Sequence, residues 1–266
     1  MVFCDAHNHL HDARLAAWRA RHLAELPALG IAHAVVNGTC EADWPAVAAL
    51  AASTPGVLPS FGLHPWQVNE RSADWLAALT AQLDAHPGCG VGEVGLDRWV
   101  AGHDPATQAE CLAAQIALAT ARDLPLTLHC IRAWGALWDI VRTQAMPSRG
   151  FLLHAYGGPR EMVAGFIARG AYFSFSPYFL HERKAEQRAI FAALPAERIL
   201  VETDAPDLSP PPERNPHPLS APDGSAINDP TNLLLAYDTL ATLRGVSVGS
   251  LSETVTANFA RLFLKR

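Results

Sequence analysis

The sequence predicts an α/β fold of the TIM-type (β/α) barrel class, and three observations carry that expectation. Short apolar or β-branched runs ending in polar residues alternate with helical stretches about eight times, at a spacing of roughly 25–30 residues. No Gly-x-Gly-x-x-Gly or phosphate-loop sequence follows the first run, which counts against the alternative, a doubly wound open sheet. Histidines and carboxylates recur where the runs end, and the C-terminal ends of the strands are where such a barrel builds its site, here one suited to a metal centre.

The first strand is read in Met1-Val2-Phe3-Cys4-Asp5-Ala6, followed at once by His7-Asn8-His9. Seven more are read in residues 32–37, 57–62, 90–93, 126–129, 151–154, 171–176 and 199–204, which are rich in residue types that suit a buried pleated surface. Between them, residues 46–52 are alanine-rich and helix-forming. Asp104 to Arg122 has an N-cap aspartate, a proline at the first helical position and apolar residues every three or four places. Ala133 to Thr143 puts Trp134, Leu137, Trp138 and Val141 on one face, the spacing of core packing. The longest irregular stretch, Ala205 to Asn228, holds prolines at 206, 210, 211, 212, 216, 218 and 222. A loop of that length in a compact domain reads as a lid or binding loop, stiffened here by its prolines. Asp229 to Leu243 and Leu251 to Leu264 read as closing helices, with Asp229 starting the first.

Half of the 266 residues are hydrophobic and 17% are charged, an ordinary globular composition consistent with one domain over residues 1–266. No apolar run reaches the roughly 20 residues that span a bilayer, and the first residues lack a signal-peptide pattern. A cytoplasmic protein is the expectation, with no membrane and no obligate protein partner called for. The five cysteines are dispersed, odd in number and never in Cys-x-x-Cys spacing, which argues against a disulfide framework and a zinc knuckle. A net charge of −6 does not suit wrapping nucleic acid, but it leaves room for a small cleft in which metal ions supply positive charge.

Alternate side chains of a strand share a face, so His7 and His9 point the same way and form half of a metal site. The other run ends add His64, Glu93, His129, His154 and Asp204. Without His64 this is four imidazoles and two carboxylates, the ligand set that a pair of divalent ions requires. Ions held roughly 3.5–4 Å apart activate a water and stabilise the leaving oxygen of a cleaved ester. The bland alternative is a set of satisfied polar residues at loop entrances, and the coincidence of six at strand ends counts against it. Cys130, beside His129, lacks a separate base and orienter and is not read as a nucleophile.

Residues 5–10 (Asp-Ala-His-Asn-His-Leu), 62–65 (Gly-Leu-His-Pro), 92–97 (Gly-Glu-Val-Gly-Leu-Asp) and 202–206 (Glu-Thr-Asp-Ala-Pro), with the strand-end His129 and His154, resemble the TatD family of metal-dependent hydrolases. Asn228-Asp229-Pro230 and the closing residues 256–263 are similar to family signatures as well, so the resemblance runs from residue 4 to residue 263. It implies a metal-dependent hydrolase of ester bonds, specifically a deoxyribonuclease or phosphodiesterase, with two divalent ions (Zn, Mg or Mn). By the same resemblance His7, His9 and Asp204 hold one ion, His129 and His154 the other, and Glu93 bridges them. Asp204 also orients or deprotonates the attacking water, which makes Asp204 and Glu93 the catalytic pair. His64 and Arg132 contact a substrate phosphate, and Asp97 fixes an imidazole tautomer or the loop.

The loops that would face substrate depart from the family pattern. Arg132 stands one place later than the usual basic residue, Trp66 replaces a common histidine, and Ala155-Tyr156-Gly157-Gly158 replaces a Cys-Phe sequence. Trp66 and Tyr156, on strand-end loops, are the candidates for stacking on a base. His64 could instead cap the turn before Pro65, and Arg132 could be a surface residue at a helix start. The remaining histidines read as solvated or core, with His217, in the proline-rich loop, singled out for inspection. DNA or a small phosphodiester is the expected substrate. Hydrolysis of a small ester, amide or lactone is the enzymatic alternative, and a binding protein with a vestigial site is the non-enzymatic one.

Overall fold

The computed structural model describes residues 1–264. Its strands are β1 (Phe3–Asn8), β2 (Ile31–Asn37), β3 (Val57–Phe61), β4 (Gly90–Asp97), β5 (Leu126–Ile131), β6 (Phe151–Leu153), β7 (Ala171–Phe175) and β8 (Ile199–Val201). They pair in parallel in strict sequence order. The ends of the sheet meet again past β8, where Asp204 N donates to His7 O at 2.9 Å and His9 N to Ala205 O at 2.8 Å. An open doubly wound sheet would show a reversal of strand order, and none occurs. The eight strands form a nearly closed barrel.

Helices connect the strands: α1 (Arg19–Ala28), α2 (Trp44–Ser53), α3 (Trp75–Ala85), α4 (Pro105–Arg122), α5 (Trp134–Thr143), α6 (Val163–Ala168) and α7 (Ala185–Ala193), with α8 (Leu233–Arg244) and α9 (Val248–Phe259) closing the chain. With helices outside and side chains filling the inside, both strand faces are buried, which is why every residue of β4 and β7 is buried. Phe173, Phe175 and Phe191 are fully buried, each contributing roughly 1.5–3 kcal/mol by leaving water. Among the described residues no helix is long and apolar enough to cross a membrane.

The α4 expectation is met in detail: Asp104 accepts from Ala106 N and Thr107 N at 3.1 Å, with Pro105 at the first helical turn. Its buried face also carries two glutamines, seven residues apart. Gln108 accepts from Asp97 N at 3.0 Å and donates to Asp97 O at 2.9 Å, while Gln115 accepts from Leu63 N at 2.7 Å. One helix therefore fixes the backbone of the residue beside His64 and of Asp97, through neutral hydrogen bonds worth about 1 kcal/mol each.

The closing helices differ from expectation at their starts. Pro230–Asn232 form a 3₁₀ turn capped by Asp229 before α8, and α9 begins at Val248 because Ser247 caps it, accepting from Ser250 N at 3.1 Å. The proline-rich stretch 205–228 is ordered by a two-stranded antiparallel ribbon, β9 (Leu219–Ser220) with β10 (Ala226–Ile227). It is also tied down by Asn228 Nδ2 donating to Thr203 O at 2.8 Å.

Candidate metal centre

The strand ends bring His7, His9, Glu93, His129, His154 and Asp204 together, all buried. Glu93 stands in the middle, and its two oxygens face different partners. Oε2 lies 3.5 Å from His7 Nε2 and 3.2 Å from His9 Nε2. Oε1 lies 2.8 Å from His129 Nδ1 and 2.9 Å from His154 Nε2. Asp204 Oδ1 joins the first set, 3.1 Å from His7 Nε2 and 3.5 Å from His9 Nε2. Donor atoms of His7, His9 and Asp204, of His7, Glu93 and His154, and of His64, Glu93 and His129 converge within 4.8 Å of one another, close enough to hold an ion.

The backbone at these ends is itself specialised. Arg132, Ala155 and Asp204, following β5, β6 and β8, have φ of 55°, 40° and 57°. Left-handed backbone on non-glycine residues costs energy and concentrates where a site over-determines the chain. At Asp204 it accompanies the backbone bond to His7 described above.

Hydrogen bonds on the far side of each ring select its tautomer, and hence which nitrogen offers a lone pair. His9 Nδ1 donates to Asn37 O at 2.7 Å, which leaves Nε2 free to face Glu93. His129 Nε2 donates to Asp97 Oδ2 at 2.9 Å, so Nδ1 is the free atom. His154 Nδ1 points at Glu202 Oε1, 3.5 Å away, while the other Glu202 oxygen accepts from Ser174 Oγ. His7 Nδ1 lies 3.0 Å from the Asn37 side-chain amide, and its inward Nε2 has no hydrogen-bond partner. A half-turn of that amide would set its unpartnered Oδ1 against Nδ1 and free the Nε2 lone pair. An orphaned, buried imidazole nitrogen among carboxylates is what a borderline-soft divalent cation fits.

His64 is arranged the opposite way. Its Nδ1 accepts from Trp66 N at 3.2 Å, so the hydrogen sits on Nε2, 3.5 Å from Glu93 Oε1. Burial, with neighbouring imidazoles, pushes its basicity down to about 4, which keeps it neutral. It is built as a donor into the site rather than as a lone-pair ligand.

Electrostatics bind the cluster together. Burial opposes ionisation of Glu93, but the imidazoles of His154, His64 and His7 hold its carboxyl well below the usual carboxylate range. Burial likewise works against a charged His9, and its bonds to Asp204 and Glu93 outweigh that and raise it well above the ordinary value. His154 is raised against the same burial by Glu93 and Glu202. The carboxylates are thus ionised, and protons on the imidazoles balance their charge at the positions a cation would take over.

A cavity of about 890 Å³ opens above the centre, within the range of sites for small molecules. Trp66 and Arg132 line it. Trp66 is 48% exposed, with its indole Nε1 donating to Asp97 Oδ2 at 2.9 Å. Asp97 thereby touches both the centre and the cavity wall. Tyr156 requires correction: it is fully buried, its hydroxyl donates to Pro159 O at 2.8 Å, and its ring packs on Trp134 and Phe173 at 4.7 and 5.1 Å. Gly158 lets the chain wrap that ring, since a Cβ there would come within 2.7 Å of it. Trp134 packs on this core and also borders the cavity. His217 is exposed and away from the cavity, whereas His11, set aside with the solvated and core histidines, lines it beside Asp43 at 3.4 Å. Asn37, Glu202, Gln108 and Gln115 carry supporting bonds that the residue patterns did not single out.

Residues 4–264 match the model of the TatD related DNase family. A 3′-5′ ssDNA/RNA exonuclease TatD from Cronobacter sakazakii is 31% identical over 251 residues, covering 93% of this chain and 92% of its own. One from Erwinia tasmaniensis is 30% identical over 236 residues, 88% of this chain and 89% of its own. Among solved structures, YJJV, a TatD homolog from Escherichia coli, superposes with a TM-score of 0.89 at 24% identity, covering 99% of this chain and 98% of its own. A TatD family hydrolase from Entamoeba histolytica gives 0.85 at 17% identity, with 99% and 98% covered. The chain belongs to the TatD-related family of metal-dependent hydrolases.

Proposed function

We propose that this protein is a nuclease that hydrolyses phosphodiester bonds of single-stranded nucleic acid at a centre of two divalent cations. One observation carries the reading: the two oxygens of Glu93 divide between two sets of imidazoles, the arrangement of a bridging carboxylate. His7, His9 and Asp204 would hold one ion, and His129 and His154 the other. When bound, such ions polarise the phosphoryl oxygens and make a water acidic enough to attack at neutral pH. The relatives named above, called ssDNA/RNA exonucleases, favour a strand end as substrate. The ion pair is zinc, magnesium or manganese, since imidazole and carboxylate donors accept each of them.

The chain's own residues then have distinct tasks. Asp204, held ionised against its burial by His7 and His9, accepts the proton of the attacking water. His64, neutral with its hydrogen on Nε2, donates to a phosphate oxygen at the centre. Arg132, exposed on the cavity wall, contacts the same phosphate as a charge-assisted donor. Trp66, anchored by its edge to Asp97, offers an exposed ring on which a base can stack.

Single-stranded DNA incubated with Mg²⁺ or Mn²⁺ tests the reading. Cleavage by the wild-type protein, lost in a folded Glu93→Gln variant, is the expected result. Cleavage of a carboxylic ester, amide or lactone panel with DNA left intact would replace the substrate class. Inertness toward both would favour a binding protein.

A further inference from the structure

The cavity wall is divided in charge. On the side of β1 and β8, Arg14 is the one lysine or arginine among the described lining residues, and it is consumed locally: Nη1 and Nη2 donate to Asp207 at 2.8 Å each, and Nη2 also reaches Asp12 at 2.7 Å. Asp43 lines the same side. On the side of β5 and β7, Arg132 and Lys184 line the cavity, and among the described residues neither forms an ion pair. A polyanion leaving the centre is therefore attracted toward β7 and repelled from β1 and β8.

The segment after β7 holds its cations in place through Tyr178. This ring lines the cavity with Lys184 Nζ 5.1 Å from its centroid and Arg183 Cζ 5.3 Å away. Arg183 Nη2 also donates to the Tyr178 hydroxyl at 2.5 Å. Cation–π attraction orders an ammonium group without neutralising it, so Lys184 keeps its charge for a ligand. Glu182 and Glu186 on the same segment are exposed and pair with neither cation. Two cations and the His181 ring, 4.9 Å away, crowd the Tyr178 ring, so Tyr178 serves to position charge, and stacking falls to Trp66.

We propose that Lys184, seated on Tyr178 with Arg183, is a second phosphate subsite that binds a phosphodiester of the strand beyond the one being cleaved. The proposal rests on the nuclease reading for its ligand, a single-stranded nucleic acid whose chain runs from Glu93 toward β7. It makes this protein selective for strands long enough to place a second phosphate on that wall.

Binding is tested with a fluorescent tetrathymidylate carrying phosphorothioate links, by anisotropy in Mn²⁺ across a series of NaCl concentrations. The Lys184 ammonium makes no hydrogen bond among the described residues, so Lys184→Gln removes charge and little else. Loss of one phosphate contact should lower the slope of log Kd against log salt by about 0.7. It should weaken binding about five- to tenfold at low salt, and Tyr178→Leu should shift binding in the same direction. Coincident salt titrations for wild type and Lys184→Gln overturn the subsite. Failure of the nuclease reading shows separately, as an unmodified strand left uncut by the wild-type protein.

Discussion

Asp97→Asn probes how the centre is held. Asp97 Oδ2 accepts from His129 Nε2 and from Trp66 Nε1, each at 2.9 Å, and Oδ1 accepts from Trp99 N at 2.6 Å. An asparagine has one oxygen for these two positions, so its NH₂ group must confront a donor in either orientation. Losing one charge-assisted bond costs roughly 1.5–3 kcal/mol. If the bond lost is to His129, the tautomer that presents Nδ1 to the centre is no longer selected. Replacing a residue that orients a metal-bound histidine lowers affinity about 10–100-fold, or roughly 1.4–2.7 kcal/mol. The two ranges agree, so the metal affinity should carry most of the effect. Calorimetric titration of metal-free protein with Mn²⁺ is the assay. One association step should weaken by about one to two orders of magnitude while the other stays within about threefold. Identical titrations for wild type and a folded Asp97→Asn variant would refute the reasoning.

Three further outcomes are expected. Tyr156→Phe deletes a single hydrogen bond in the core and should cost about 1 kcal/mol of stability by urea unfolding, with the KM for oligonucleotide unchanged; a raised KM would return Tyr156 to the substrate. Burial pushes the Cys130 thiol up to about 12, so iodoacetamide at pH 8 should leave it unmodified in the folded protein, and rapid alkylation would contradict its burial. Asp229 is held at about 2, against its burial, by His22 and Thr231. Its contribution is present above the unfolded value near 3.8 and is lost as pH falls through about 2. Asp229→Asn should therefore lower stability at pH 6, and the difference should shrink strongly by pH 2 and vanish only below it, as urea unfolding at each pH would show.

The barrel was legible because parallel strands buried on both faces appear as apolar runs, and because six of the eight runs end in or just before a histidine or carboxylate. His7, His9, Glu93, His129, His154 and Asp204 stand out on that pattern, and the structure brings all six together. Asn37 and Glu202 occupy the same kind of position, yet an asparagine or an extra carboxylate at a strand end has no spacing that betrays its ring partner. Gln108 and Gln115 did leave a signal, two amides seven residues apart on an otherwise apolar helical face. The sequence pattern leaves Tyr156 open because a residue past a strand end can turn outward or fold back, and Gly157-Gly158 decides for the core. The bounds of α9 depended on Ser247, a cap that hydrophobic periodicity does not register. The charge division of the cavity wall emerges only once loops distant in sequence, after β1, β7 and β8, are seen side by side.

The central claim is that Glu93 joins two cation sites, and equilibrium dialysis against Mn²⁺ followed by elemental analysis tests it most directly. About two ions per wild-type chain are expected, falling to one or none in Glu93→Gln of unchanged circular dichroism, because Glu93 faces both sets of imidazoles. A wild-type chain that binds no ion, or a Glu93→Gln variant that retains both, would contradict it.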